Sequence, residues 1–282
     1  MRWENLTLAN YFMFSKVMCD AELCTEMIRR ILPDMDIGHI KFIESQKSEK
    51  HSIDTRGVCF DVYAKSDNRK IFDCEVQTSD KKDLPRRTRA YHIMLGLESL
   101  KKKTLNKSGM YNEMPDTFVI FLCTFDPFNL GRHIYSFCNI CKEDNALKLN
   151  DGAVTIFLNA KGRTDDVNGE LKAFLDFMLG KSCSDPFIMR LEERLKELKQ
   201  KTEWRRNYML LLTREEEALI EGRNEGRIEG RIEGRNEGRN EGIAIGKELG
   251  RSETLNSAIE AMKLNGISNE QIDNIRNAVL KS

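Results

Sequence analysis

The chain has 282 residues, of which 32% are charged and 40% hydrophobic, and its 45 lysine and arginine residues balance its 45 aspartate and glutamate residues. A net charge of zero argues against a nucleic-acid binder that is basic over its whole surface, but it leaves room for a local basic face. A chain of this length buries one core of ordinary size and has residues left for an appended segment.

The eight cysteines lie in apolar or strand-like surroundings, for example Cys59, Cys74 and Cys123. We therefore expect buried free thiols in a reducing cytoplasm rather than disulfides. No segment reaches the ~18 uninterrupted apolar residues of a membrane span, so we expect no membrane partner and a cytoplasmic location.

Apolar residues recur at helical spacing over residues 6–32 and stop at Pro33. This pattern predicts one amphipathic helix, or a short helix followed by a longer one. Glu22 and Glu26 lie four residues apart, on one side of that helix. A solvated surface is the ordinary explanation for such a pair, and a contribution of Glu26 to a metal site is the alternative. Residues 39–45 alternate weakly and predict a short edge strand.

Two runs rich in valine and aromatic residues, 57–64 and 70–78, flank a turn at residues 66–69. They predict a β-hairpin. Asp67 and Asn68 suit the turn because aspartate and asparagine tolerate positive φ.

Side chains alternate along a strand, so Asp61 and Tyr63 are predicted on one face of the first strand and Phe60 on the other. On the return strand Asp73, Glu75 and Gln77 share a face. If the turn has an odd number of residues, Asp61 comes opposite Glu75 on the same side of the hairpin.

Two carboxylates in this position repel each other, and a divalent cation is a natural compensation. Carboxylate oxygens suit Mg²⁺ or Mn²⁺. The hairpin therefore predicts a metal site at Asp61 and Glu75. The alternative is a solvated face on which the two carboxylates avoid each other, and spacing alone does not decide between them.

Residues 81–107 contain nine lysines and arginines against one aspartate and one glutamate. Pro85 is suited to the first turn of a helix, which we predict to run to about Lys103. A solvated helix face is the ordinary outcome of such a charge run. Because this run follows the acidic hairpin directly, contact with phosphates is an equal alternative.

The remainder of the first 220 residues alternates between strand-like and helix-like patterns. An apolar run at residues 117–125 predicts a central strand that is buried on both faces. Further strands are predicted at residues 133–141 and 153–159, and helices at residues 170–179, 186–201 and 203–218.

From residue 221 the sequence becomes a tetrapeptide repeat, EGRN or EGRI. Glycine at every fourth position costs a helix ~1 kcal/mol each relative to alanine, so residues 221–250 are predicted to be a flexible or partly helical linker. Residues 251–282 predict a small helical segment, with a stop at Gly266 and an N-cap at Ser268. The predicted organisation is a domain of residues 1–220, this linker, and this C-terminal segment.

Several stretches in this order resemble the PD-(D/E)XK nuclease family transposases, also described as recombination-promoting nucleases. They are LTLANYFMFSKVM, DVYA, FDCEVQTS, LPRRTRAYH, FVIFLCTFDPF, GRHIYSF, CKED and IFLNAKG. The resemblance covers roughly residues 6–220, and the combination is far more specific than any one stretch.

The resemblance implies an α/β fold with a restriction-endonuclease-like core, in which a mixed sheet is flanked by helices, followed here by a helical C-terminal extension. It implies hydrolysis of DNA phosphodiester bonds with Mg²⁺ or Mn²⁺ as cofactor. By position, Asp61 and Glu75 are the implied metal ligands, and Gln77 is the third catalytic residue.

The resemblance also implies contacts with DNA, and the implied residues follow the acidic strand. They are Arg86, Arg87, Arg89 and Tyr91. Family members usually carry an aspartate where this chain has Tyr11. Two functions follow from this departure: a metal-dependent DNA endonuclease linked to recombination or mobile elements, or a catalytically degenerate DNA-binding or interaction protein with the same fold. The sequence leaves homo-oligomerisation open.

Overall fold

A computed structural model describes residues 2–49, 58–100 and 110–281 of the chain. The described residues form six strands and seven α-helices. The strands are β1 (Ile40–Glu49), β2 (Val58–Ser66), β3 (Lys70–Gln77), β4 (Asp116–Cys123), β5 (Ile134–Phe137) and β6 (Ala153–Asn159). The helices are α1 (Tyr11–Val17), α2 (Ala21–Ile31), α3 (Leu84–Leu100), α4 (Gly169–Met178), α5 (Pro186–Gln200), α6 (Thr202–Leu264) and α7 (Asn269–Lys281).

Some predicted features lie outside the described residues, namely the start of the first hairpin strand at residue 57 and the lysines at residues 101–107. The chain divides into two compact units, Met1–Tyr208 and Met209–Ser282. Within the described residues, no helix combines the length and the apolar character that a membrane span requires. None of the eight cysteines forms a disulfide, as expected, but the expected burial holds only for Cys24, Cys74 and Cys123. Cys141 is half-buried, and the other four are exposed, namely Cys19, Cys59, Cys138 and Cys183.

The six strands form one mixed sheet in the order β1-β2-β3-β4-β6-β5. The three central strands β3, β4 and β6 are parallel, and the other pairs are antiparallel. As predicted, β1 is an edge strand and β4 is a central strand with a buried apolar run. The predicted class, an α/β fold with a mixed sheet flanked by helices, is confirmed.

The alternation of β3 assigns helices to the two faces of the sheet. Ile71 lies in a core cluster with Tyr91 of α3, so the odd-numbered residues of β3 face α3. The even-numbered residues face the opposite side, where Val76 lines a cavity with Tyr11 at the start of α1. The acidic face of β3 is therefore the face that α3 covers.

Two side-chain caps divide the N-terminal region into two helices. Asn10 accepts hydrogen bonds from the amides of Phe12 and Met13 at the start of α1. Asp20 does the same for Glu22 and Leu23 at the start of α2. Of the two alternatives for residues 6–32, a short helix followed by a longer one is therefore confirmed. Each cap stabilises a new helix start because it satisfies amides that have no partner inside the helix.

Buried Arg30 connects α2 to α4 and α5. Its guanidinium donates to Glu26 Oε1, to both carboxylate oxygens of Asp185 and to the carbonyl of Glu170, each at 3.0 Å. It also lies over the ring of Phe187, 4.5 Å from the centroid. Arg30 is therefore a buried polar contact that joins α2, α4 and α5.

The second unit is helical. α6 is a continuous helix of 63 residues, in place of the flexible or partly helical linker that the glycine content favoured. Residues 213–250 are all exposed. The predicted stop at Gly266 is present with φ of +79°, and Ser268 Oγ accepts a hydrogen bond from the amide of Gln271.

We expect Arg30→Ala to lower the free energy of unfolding by about 3 kcal/mol, because it leaves Asp185 and Glu26 without their buried cation. Urea denaturation measures this loss. Arg190→Ala is the matched control, since Arg190 pairs with Glu22 at an exposed site, and it should cost less than about 1 kcal/mol. Equal losses in the two variants would contradict the central role of Arg30.

Candidate active site

The hairpin β2–β3 ends in a reciprocal pair of hydrogen bonds between carboxylates and backbone amides. The amide of Asp61 donates to Glu75 Oε1 at 2.8 Å, and the amide of Val76 donates to Asp61 Oδ2 at 3.0 Å. The main-chain register runs from Lys65↔Ile71 to Val62↔Cys74, and the carboxylate bonds follow where this ladder ends. We call this pair of bonds the carboxylate exchange.

The register confirms the predicted turn. β2 ends at Ser66 and β3 begins at Lys70, so the turn has three residues, an odd number, and one further step brings Asp61 level with Glu75. The positive φ of 60° falls on Arg69. Asp67 and Asn68, which tolerate positive φ, instead use their side chains to hold the turn: Asp67 accepts from the amide of His39 and Asn68 donates to the carbonyl of Asp36.

One prediction about the faces of β2 is wrong. Phe60 was expected opposite Tyr63, but both belong to the cluster under α3, with ring centroids 6.0 Å apart. Phe60 also makes an edge-on contact with Tyr91 at 5.5 Å. The departure lies where the pairing with β3 stops at Val62 and the amide of Asp61 bonds to a side chain instead of to the main chain.

Both acids of the exchange hold their protons more tightly than exposed acids do. Burial raises the pKa of Asp61 to about 6, against the lowering effects of the Val76 amide and the Arg87 charge. Burial and the charge of Asp61 raise the pKa of Glu75 to about 8. Glu75 is only 2% exposed, so water does little to screen the repulsion.

Arg87 of α3 lies across the acids and Gln77. Its Nη1 donates to Gln77 Oε1 at 3.2 Å, its Nη2 donates to the hydroxyl of Tyr91 at 2.7 Å, and Nη2 lies 3.5 Å from Glu75 Oε2. The hydroxyl of Tyr91 donates to Glu75 Oε2 over a long 3.4 Å. The structure therefore brings together five of the residues that the sequence singled out.

Asp73 is a member of this acidic cluster that the sequence analysis did not single out. It is fully buried beside Glu75. Burial, followed by repulsion from Glu75 and Asp61, raises its pKa well above the ordinary value. The alternation of β3 places it on the face of Glu75, but sequence gives no signal of such deep burial.

The remaining predicted site residues lie elsewhere. Arg86 and Arg89 are exposed on α3. Glu26 pairs with Arg30 and does not join the acids of β3. Tyr11, at the start of α1, lines a cavity with Val76 and Thr78 near the end of β3.

The donor set of the site suits a hard divalent cation. The carboxylate exchange uses one oxygen of each acid, which leaves Asp61 Oδ1 and Glu75 Oε2 outside the backbone hydrogen bonds. Mg²⁺ is commonly bound by one or two carboxylates together with water and substrate phosphates. Among residues 2–49, 58–100 and 110–281, however, no three His, Cys, Asp or Glu side chains form a ready-made ligand cluster. The residues present thus fit a two-carboxylate site.

The raised pKa of Glu75 predicts a specific pH dependence of stability without added metal. Folded Glu75 keeps its proton up to pH of about 8 whereas the unfolded chain loses it near 4.5, so the free energy of unfolding should fall as pH rises between these values. Glu75→Gln cannot lose a proton and should raise the melting temperature at pH 8 by about 5 °C.

Thermal denaturation in a chelator at pH 5 and pH 8 tests this expectation, and the variant should gain little at pH 5. Asp116→Asn is the control, since Asp116 is an exposed carboxylate at the opposite end of the same sheet. An equal rise in melting temperature for Glu75→Gln at both pH values would contradict the conclusion that burying the charged Glu75 carboxylate destabilises the folded chain.

Comparison with known proteins adds one finding. No curated protein and no solved structure matches the chain. The family model described as "PD-(D/E)XK nuclease family transposase" matches residues 11–215, which include β1 to β6 and all the residues of the site. This match spans well over half of the chain and supports a nuclease- or transposase-related function. The chain belongs to the PD-(D/E)XK nuclease family transposases.

Proposed function

We propose that this protein is a DNA endonuclease that hydrolyses phosphodiester bonds with a divalent cation, Mg²⁺ or Mn²⁺, in recombination or in the movement of genetic elements. The observation that carries the proposal is the carboxylate exchange. It holds Asp61 and Glu75 side by side in a buried position next to a single shared arginine, Arg87. Such a concentration of buried acids at the end of a strand is typical of a catalytic site.

Asp61 and Glu75 would hold the cation through the oxygens that the exchange leaves over. A cation at that position supplies Lewis-acid stabilisation of the negative charge on a scissile phosphate. The backbone amides of Asp61 and Val76 fix the orientation of both carboxylates. The protein therefore contributes ligands whose geometry is set before the substrate arrives.

Gln77 would act as a hydrogen-bond donor to the substrate or to the attacking water. Its Oε1 accepts from Arg87, so its amide nitrogen is the group left to donate. Arg87 also contacts Tyr91 and Glu75, and this fixes the position of the Gln77 side chain relative to the acids. Arg87 is in this respect a positioning residue, and its charge would also stabilise a phosphate bound beside the acids.

Backbone contacts with DNA are assigned to the exposed side of α3. Arg86 and Arg89 are exposed there, and Lys81 and Lys82 are exposed just before the helix begins. Cations at this spacing suit the phosphates of a nucleic-acid backbone. They would hold the DNA next to the acids without selecting a base sequence.

A second candidate function is a catalytically degenerate DNA-binding or interaction protein, and Tyr11 is the observation that favours it. The tyrosine lines the cavity beside Val76, whose amide holds Asp61. In the related proteins an aspartate usually occupies this position. Loss of that acid would remove a carboxylate from the cavity beside the end of β3.

We expect the protein to nick or cleave plasmid DNA in the presence of Mg²⁺ and to be inactive in a chelator. Glu75→Ala should abolish cleavage, since it removes a cation ligand. Glu75→Gln, which keeps an acceptor for the Asp61 amide, separates the loss of a ligand from a loss of the fold and should also be inactive. Asp116→Asn should cleave like the unaltered chain, and undiminished cleavage by Glu75→Ala would refute the assigned site.

Tyr11→Asp distinguishes the two candidate functions. If the unaltered chain is a degenerate nuclease, it should bind DNA without cleaving it, and Tyr11→Asp should restore cleavage that depends on Glu75. If the unaltered chain is an active nuclease, cleavage is present before the substitution. Parallel gel assays of binding and cleavage on one DNA substrate give both measurements, and Tyr11→Phe controls for the loss of the hydroxyl.

A further inference from the structure

An open cavity lies along the flank of α3 next to the one that carries Arg87 and Tyr91. Its volume is about 730 Å³, which is within the range of about 300–1,000 Å³ that ligand sites occupy. β5, β6 and Met114 complete its wall. The residues that α3 contributes to it are Thr88, Arg89, His92, Ile93, Gly96 and Leu97.

The cavity and the acids lie on the same face of the sheet, under the same helix. The ring nitrogens of His92 lie 2.8 Å from the hydroxyl of Thr117 in β4 and 3.0 Å from that of Thr155 in β6. Glu75 is level with a β4 position four residues beyond Thr117 and a β6 position two residues beyond Thr155. At 3.3 Å per residue and 4.8 Å per strand, the main chain of Glu75 is about 12–14 Å from both threonines. This distance equals about four steps of 3.4 Å along DNA.

The rim of the cavity exposes apolar side chains. Ile93 is 54% exposed, Phe137 46% and Met114 36%. Exposed apolar side chains that gather around one concave surface mark a ligand site, whereas scattered ones need no explanation. The ring of Phe137 is held by an edge-on contact with Phe157, 5.8 Å between centroids. A ring fixed in this way provides a platform on which another flat ring can stack.

Polar groups in the cavity suit the edge of a flat, uncharged ligand. The hydroxyl of Thr88 donates to the carbonyl of Pro85 at 2.8 Å, so its lone pairs remain available as acceptors. Asn139 donates to Asp151 through Nδ2 and keeps its Oδ1 as an acceptor. Burial lowers the pKa of His92, so its ring is neutral at pH 7 and adds no charge to the cavity.

Arg89 connects the cavity to the cationic side of α3. It lines the cavity, it is exposed, and it has no acidic partner among the described residues. Arg86, one turn earlier, and Lys81, just before the helix, are exposed as well. A ligand that joins an uncharged aromatic ring to a phosphate matches this combination of apolar cavity and cationic edge. An apolar protein segment would fill the cavity without using the cation.

We propose that this cavity binds one unpaired nucleobase of the DNA that α3 holds, with the base on Phe137 and a neighbouring phosphate at Arg89. The proposal rests on the proposed function, because it takes DNA as the substrate. A base inside a duplex is stacked and paired, so it enters such a cavity only from a single strand, from a mismatch or after flipping out. The substrate is therefore DNA with an unpaired nucleotide about four steps from the cleaved bond.

DNA binding in a chelator tests the proposal without cleavage. Fluorescence anisotropy compares a labelled full duplex, the same duplex with one unpaired thymine, and the same duplex with an abasic site in place of that thymine. The unaltered chain should bind the DNA with the unpaired thymine about tenfold more tightly than the other two, which is the effect expected of one stacked base.

Two variants separate the base from the phosphate. Phe137→Leu keeps an apolar side chain but removes the ring, so it should lose the preference for the unpaired thymine and bind the duplex as before. Arg89→Ala should weaken the binding of all these DNAs to a similar extent and reduce its dependence on salt. Met189→Ala is the matched control, since Met189 is an exposed apolar residue of α5 outside the cavity, and it should bind like the unaltered chain.

Photo-cross-linking locates the bound base. Iododeoxyuridine in place of the unpaired thymine should, on irradiation, become attached to Phe137 or His92, which mass spectrometry of the peptides identifies. Cross-links confined to peptides outside the cavity would overturn the proposal.

The binding assay distinguishes a failure of this proposal from a failure of the proposed function. Equal binding of all the DNAs by the unaltered chain would overturn only the nucleobase site, and this result is expected if the cavity takes an apolar protein segment. A preference that Phe137→Leu retains in full would also overturn it. Failure to bind any DNA would overturn the proposed function as well. The abasic comparison uses the unaltered chain, so the test holds if a variant fails to fold.

Discussion

The carboxylate exchange between β2 and β3 is the interaction on which the architecture of the site depends. Two backbone amides at the end of a hairpin ladder bond to acidic side chains instead of to carbonyl groups. This satisfies the amides and, at the same time, fixes two buried carboxylates next to each other. The strand continues past the end of the regular pairing without losing its hydrogen bonds, and the acids acquire an orientation that a flexible surface carboxylate lacks.

The same interaction creates an electrostatic conflict that the fold does not resolve by itself. Asp61, Glu75 and Asp73 all have raised pKa values, and Arg87 is the cation that acts on all three. Natural sequences satisfy most buried polar groups, and the exceptions concentrate at functional sites. The buried acids at the end of β3 are such an exception, and they are the observation on which the proposed cation site depends.

The two units of the chain differ in how much of their surface is buried. The first unit contains a sheet covered by α3 on one face and by the N-terminal helices on the other, with Arg30 binding three helices at a buried point. The second unit exposes almost all of its long helix. Glycine at every fourth position weakens an isolated helix, yet the helix runs through the repeat without interruption.

Much of this molecule follows from local sequence. Strand alternation, the three-residue turn and the caps at Asn10 and Asp20 depend on neighbouring residues, which is why the hairpin, the central strand and the opposition of Asp61 and Glu75 were predictable. The family resemblance then selected Gln77. The tertiary structure alone decided the depth of Asp73, the position of Phe60 and the pairing of Arg30 with Asp185. Burial and ion pairing across 140 or more residues depend on which elements cover a side chain, and no local pattern encodes that.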